Sequence, residues 1–283
     1  MTARETVRGL LELTRPVNVI AASLLTFIGA FVAGGIADHA AEVAAAVAAT
    51  GLAVGAGNAI NDYFDREIDR INRPDRAIPR GAVSPRGALA FSIVLFAVAV
   101  VLAVMLPTLA IAIAGINLLS LVAYTELFKG LPGLGNALVA YLVGSTFLFG
   151  AAAVGEVGPA VVLFLLAAIA TLTREIVKDV EDLEGDREEG LNTLPIAVGE
   201  QRALWIAAIL LTIGVLASPV PYLLGYFDVV YLALVVPADA VMLAAAVRSF
   251  DDPTTGQSWL KYGMFLAALA FVVGRASLEV TGV

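Results

Sequence analysis

Apolar residues run through this chain in long blocks, at residues 16–36, 43–61, 87–125, 131–155, 157–173, 203–227, 229–247 and 262–280. Charge enters them only at Asp239 and, near the end of the last block, at Arg275 and Glu279. Neither strand alternation nor a one-sided helical stripe explains such blocks; a helix crossing a hydrocarbon core of about 30 Å needs about 20 such residues. Block 87–125 is long enough to cross twice, and Pro107 near its middle supplies the turn. The pattern predicts an all-α polytopic membrane protein with nine transmembrane helices, a single domain over residues 1–283. Gly51 and Gly55, with Gly57 behind them, predict a close helix contact along the second span.

The Lys and Arg residues fix the orientation. Of the 17, all but Arg275 fall on one side of the nine-span arrangement, which the positive-inside rule assigns to the cytoplasm. The expected location is the cell membrane, multi-pass, with the basic ends in the cytoplasm. No small-residue cleavage site follows the basic start, so the first span reads as a retained anchor. Composition agrees: 60% of residues are hydrophobic and 15% charged, against about 25% charged in a soluble domain. The formal charge of -8 suits a salt-rich cytoplasm or reflects compositional bias.

The two longest hydrophilic segments, residues 62–86 and 174–202, follow the second and sixth spans. Both are rich in acids, and aligning Asp65 with Asp182 also aligns Asp69 with Asp186 and Arg70 with Arg187. Four spans lie between them, so the halves share orientation and their loops converge over one cavity. On a helix, positions four apart share a face. Asn61, Asp65 and Asp69 form one oxygen stripe, Asn58 and Asp62 a neighbouring one, and Asp182 with Asp186 a third, preceded by Glu175 and Asp179. There is no Cys, and the single His39 lies in a short loop on the other side, which excludes thiolate chemistry and a Ser-His-Asp triad. Oxygen ligands remain, and these suit Mg2+, which takes a few carboxylates with water and phosphate oxygens. Arg66, Arg70, Arg73, Arg76, Arg80, Arg174, Lys178 and Arg187 interleave with the acids. That mixture fits a diphosphate whose charge grows as a bond to it breaks. Asp239, just after Pro237, reads as a buried polar contact at a helix kink or as a group lining the cavity, the first being preferred.

Residues 61–69 carry the NDxxDxxxD signature of the UbiA superfamily of intramembrane prenyltransferases, which this chain resembles over nearly its whole length. Residues 73–81 resemble the family's Arg- and Pro-rich continuation, and residues 174–186 its second aspartate motif. Residues 14–18 and 124–129 join the match. The resemblance implies nine helices around a central cavity, with a cytoplasmic cap formed by the loops after helices 2 and 6. It also implies Mg2+ dependence with two ions, an isoprenyl diphosphate donor and a lipid-like acceptor. The ending of the second motif, residues 185–195, narrows the implied reaction to geranylgeranyl transfer onto the hydroxyl of geranylgeranylglyceryl phosphate. An aromatic, quinone-precursor or tetrapyrrole acceptor is the alternative within the family. By this resemblance Asn61, Asp65, Asp69, Asp182 and Asp186 bind metal, and the four aspartates act in catalysis with Lys178. Arg15, Asn18, Asn58, Arg73, Arg76, Arg80, Tyr124, Lys129, Arg174 and Asp179 bind substrate, Asp179 and Asp69 doubling as candidate proton acceptors. Nucleic acid and an obligate protein partner are not expected. An ion-coupled transporter is the competing class, although its acids would sit at the bilayer midplane in inverted repeats, not at helix ends in parallel ones.

Overall fold

The computed structural model describes residues 3–123 and 131–281, all helix and connecting turn. In chain order the helices are α1 (Ala3–Thr14), α2 (Pro16–Ala33), α3 (Ala40–Phe64), α4 (Arg66–Asn72), α5 (Pro85–Ala103), α6 (Thr108–Ala123) and α7 (Leu134–Ala153). There follow α8 (Gly158–Glu181), α9 (Leu183–Glu188), α10 (Leu194–Val198), α11 (Glu200–Ala217), α12 (Val220–Leu223), α13 (Val229–Arg248) and α14 (Pro253–Thr281). Among the described residues, eight stretches are long and apolar enough to span a membrane: α2, α3, α5, α7, α8, α11 with α12, α13 and α14. Helix α6 is apolar but shorter, and the block at 87–125 divides at Pro107 as its composition predicts.

Polar first turns extend several helices beyond the apolar blocks. Helix α14 starts at Pro253, well ahead of residue 262, because the Asp252 carboxylate accepts the Thr255 N–H at 3.0 Å; Lys261 therefore lies inside the helix. Ser84 caps α5 in the same way, accepting the Gly87 N–H at 3.0 Å ahead of Pro85.

Several packed groups make the bundle, one of them joining Ile28 of α2, Phe147 of α7, Leu163 of α8, Tyr231 of α13 and Phe271 of α14. Ile176, Val177 and Val180 of α8 pack with Leu204, Ala207 and Leu211 of α11, Met242 and Ala245 of α13 and Leu260 of α14. Ala46 and Ala49 of α3 meet Ala110 of α6 and Phe149 and Ala152 of α7. Helix α2 makes a backbone-to-backbone crossing with α7. A Cβ on Gly29 would lie 2.1 Å from the Phe147 carbonyl oxygen, and one on Gly150 would lie 1.9 Å from that of Thr26. The close contact expected at Gly51 and Gly55 is present, against Ser23 of α2 and Thr14 of α1, while Gly57 has only ordinary contact with Leu121. Asp239 sits buried against the Ser218 hydroxyl at the α11–α12 bend, where Tyr231 donates to the Ser218 carbonyl at 2.7 Å. It is a satisfied polar contact beside a proline.

Candidate active site

Helices α3 and α8 both break at an aspartate. Asp65 has φ −79° and ψ 0°, and Asp182 has φ −87° and ψ 5°. At each break the backbone flattens, yet the ladder continues on both sides. The Asp65 N–H donates to the Asn61 carbonyl at 2.8 Å and the Asp69 N–H to that of Asp65 at 2.9 Å. The Asp182 N–H donates to the Lys178 carbonyl, and the Asp186 N–H to that of Asp182, both at 2.9 Å. The repeat seen in the sequence is thus a structural repeat: long helix, aspartate hinge, short helix. The start of α3 (Ala46, Ala49) packs on the end of α7 (Phe149, Ala152), and the end of α8 meets the start of α7 through Asp179 and Asn136, so both hinges lie at the end of the bundle where α7 begins.

The first arm is organised by arginines. Arg15 sits between α1 and α2 with φ 50°, a left-handed backbone uncommon for a non-glycine residue, and its guanidinium lies 2.7 Å from Asp62 Oδ1. Arg76 donates to Asp62 at 3.2 Å and to Asp69 at 2.6 Å. Asp62 and Asp69 are buried at 6% and 5% exposure, whereas Asn61 faces out and Asp65 is half-buried. The stripe expected from Asn61, Asp65 and Asp69 therefore divides: Asp69 turns inward to Arg76, which the loop after α4 folds back over it. Arg15 and Arg76, expected as phosphate contacts, are the partners of these carboxylates. Arg80 bonds Glu12 and the Asp75 carbonyl, and Asn58 donates to the Thr14 carbonyl at 2.9 Å. The Arg80 bond holds the Glu12 carboxyl below its ordinary range. Asn18 and Arg73 are exposed. Tyr124 and Lys129 lie outside the described residues.

On the second arm, Thr173, Ile176, Val177 and Val180 form the buried face of α8, and the acids occupy the opposite face. Lys178 pairs with Asp182 at 3.0 Å, and Arg174 with Glu175 at 2.8 Å and with Gln257 of α14 at 3.0 Å. Asp179 accepts a bond of 2.8 Å from Asn136 in the first turn of α7. Asn136 and Gln257 escaped the sequence reading. A polar residue in the first turn of an apolar helix, between Gly133 and the rest of the block, was the available signal for Asn136.

Among the described residues, Asp65 and Asp186 have no ion-pair partner, and no three acids or histidines converge on one point. Such a donor set fits Mg2+, which binds through one or two carboxylates per ion and completes its shell with water and phosphate oxygens. Only hard oxygen donors are available, because the chain has no Cys and His39 is on the opposite side.

A helical membrane protein with two acidic hinges at one end of the bundle is the class that fold and site define. Residues 22–269 match the UbiA prenyltransferase family, and the chain belongs to it. It is 67% identical to the digeranylgeranylglyceryl phosphate synthase of Natronomonas pharaonis over 97% of this chain and 99% of that one. The synthase of Methanopyrus kandleri is 48% identical over 94% of this chain and 98% of its own. A solved digeranylgeranylglyceryl phosphate synthase superposes with TM-score 0.85 at 36% identity, covering 97% of this chain and all of the other. A UbiA homologue from Archaeoglobus fulgidus, solved with GPP and Mg2+, shares the fold at TM-score 0.70 and 20% identity over 96% and 99% of the two chains. Family membership removes the transporter class weighed from the sequence.

Proposed function

We propose that this prenyltransferase moves a geranylgeranyl group from geranylgeranyl diphosphate to the free hydroxyl of geranylgeranylglyceryl phosphate, making the second ether bond of an archaeal membrane lipid. The matched hinges at Asp65 and Asp182 carry this reading, because they turn two pairs of oxygen ligands outward at one end of the bundle. The high identity to synthases of that name supports the choice of donor and acceptor. Asn61 with Asp65, and Asp182 with Asp186, would each hold one of two Mg2+ ions, which neutralise the departing diphosphate. Lys178 and Arg73 stand ready for its oxygens. Arg15, Arg76 and Arg80 serve by holding the first arm in place. Helix α6 is the ninth span, α4, α9 and their loops form the cap, and the clustered Lys and Arg put this end in the cytoplasm.

The test is to incubate the purified protein with labelled geranylgeranyl diphosphate, Mg2+ and a panel of acceptors. The phosphorylated glyceryl ether should be prenylated, chelation should stop the reaction, and Asp65→Asn and Asp182→Asn should each lower turnover more than about a hundredfold with unchanged melting. Transfer to an aromatic or tetrapyrrole acceptor instead would change the substrate reading, and normal rates in either variant would remove the metal assignment.

A further inference from the structure

Ether formation leaves a proton to be placed, and the carboxylates at this end of the bundle are not equivalent. Asp62 and Asp69 are buried and bonded to Arg76, Asp62 also to Arg15. Glu175 is paired with Arg174 and Asp182 with Lys178. Among the described residues Asp65 and Asp186 carry no such pair, but they lie at and beyond the hinges, where the oxygen ligands gather. Asp179 is held by a neutral group, the Asn136 side-chain amide at 2.8 Å, from a residue only 8% exposed and 43 positions away in sequence. An amide fixes the direction of a carboxylate without the net positive charge that weakens a base. It occupies one oxygen, Oδ2, and leaves Oδ1 free of it.

Depth points the same way. With a rise of about 1.5 Å per residue along α8, Asp179 lies about 4.5 Å before the hinge at Asp182, on the side of the helix's apolar run, whereas Asp186 lies beyond the hinge in α9. The prenyl chain is apolar and extends inward from its diphosphate, so its reacting carbon is on the membrane side of the metal-binding oxygens. A hydroxyl attacking that carbon arrives at the level of Asp179.

We propose that Asp179 takes the proton of the acceptor hydroxyl and that Asn136 is the positioning residue that aims it. The assignment rests on the prenyl-transfer reading above. In the step, the allylic C–O bond breaks and its electron pair leaves with the diphosphate. A lone pair of the acceptor oxygen forms the new C–O bond, the O–H electron pair stays on that oxygen, and the proton passes to the Asp179 carboxylate and later to water.

Two variants of the full-length protein in liposomes test it, Asp179→Asn and Asn136→Leu, with pyrophosphate release and ether formation measured together. The amide placed at 179 still accepts the bond from Asn136, so that variant keeps its local structure. Leu at 136 matches Asn in size and cannot donate. Asp179→Asn should lower ether formation by about a hundredfold or more, the range of general base catalysis, with KM for geranylgeranyl diphosphate near the parent value. Donor ionisation persists and water intercepts the cation, so pyrophosphate released per ether formed should rise. Asn136→Leu should show the same uncoupling at about a tenfold loss, the scale of one hydrogen bond to a charged group. A parallel loss of donor binding and ether formation at a constant ratio would make Asp179 a ligand or a structural group and overturn the proposal, as would parent-like ether formation in Asp179→Asn. If the parent protein prenylates no hydroxyl-bearing acceptor, the transfer reading itself fails, which the unsubstituted enzyme reveals before any variant is measured.

Discussion

Helices α2 and α7 deliver Arg15 and Asn136 to the two arms, and their crossing is set by two glycines, so Gly150→Ala and Gly29→Ala are sharp perturbations of the site from a distance. A Cβ at 150 would stand 1.9 Å from the Thr26 carbonyl oxygen, where ordinary contact begins at 3.4 Å. The obstacle is backbone, with no side chain to rotate away, so the helices must separate locally by about 1.5 Å. At Gly29 the same reckoning against the Phe147 carbonyl, at 2.1 Å, gives about 1.3 Å. Overpacking of this kind costs about 1–3 kcal/mol, and two rigid backbones belong at the upper end. Replacing Gly by Ala inside a helix returns up to about 1 kcal/mol of propensity, which leaves a net loss of about 2 kcal/mol for either variant. Gly115→Ala is the control: nothing lies within 4 Å of a Cβ there, so it should be neutral or slightly stabilising. The assay is reversible unfolding of the detergent-solubilised protein, with the double Gly29→Ala, Gly150→Ala variant included. One separation of α2 from α7 relieves both clashes, so the double variant should lose clearly less than the sum of the singles. Single variants as stable as Gly115→Ala, or strict additivity, would refute the crossing.

The arginine network of the first arm should be structural. Arg76→Ala leaves Asp62 and Asp69, with side chains 9% and 7% exposed, short of their shared cation, and should destabilise by about 3–5 kcal/mol in the same unfolding assay. Adding Asp62→Asn and Asp69→Asn to that background should recover much of the loss. The Glu12–Arg80 contact predicts a pH effect. Because the Glu12 carboxyl is held below its usual value of 4.5, its stabilisation is complete above that value and fades as pH falls through the lowered one. Glu12→Gln should flatten this part of the acid limb of a melting curve, and an unchanged limb would exclude the contribution.

What could be read from the sequence was the local part. Apolar run length gave the spans, Pro107 the hairpin between α5 and α6, and four-residue spacing the repeat that became two hinges. Partners far apart in sequence could not be read. Spacing alone put Asp69 in line with Asn61 and Asp65, but the loop carrying Arg76 folds back and claims it. Gly51 and Gly55 stood out by their pairing, whereas Gly29 and Gly150, which make the tighter contact, are single glycines in different helices. Asn136 stands out in its own segment only as a polar residue in an apolar block, and its partner Asp179 is visible only when α7 is set beside α8.

The two arms share one backbone device and differ in how their charges are held, and that difference separates scaffold from chemistry. In the first arm Arg76 is 21% exposed and its partner Asp69 is 7% exposed, so breaking the pair strands a charge away from water. In the second arm Lys178 and Asp182 are 45% and 47% exposed and sit four residues apart on one helix, a pairing of only about 0.3–0.5 kcal/mol. A contact that weak is readily exchanged: under the proposed function, Asp182 would turn to the cation and Lys178 to the phosphate oxygens as an ion and a diphosphate arrive. The rigid arginine pairs hold the first arm, and under the proposed function the loose lysine pair would let the opposite side re-form around each substrate. Lys178→Ala should accordingly spare stability and weaken donor binding, the reverse of Arg76→Ala, and melting measured beside KM for geranylgeranyl diphosphate separates the two; equal effects on both quantities in both variants would erase the distinction.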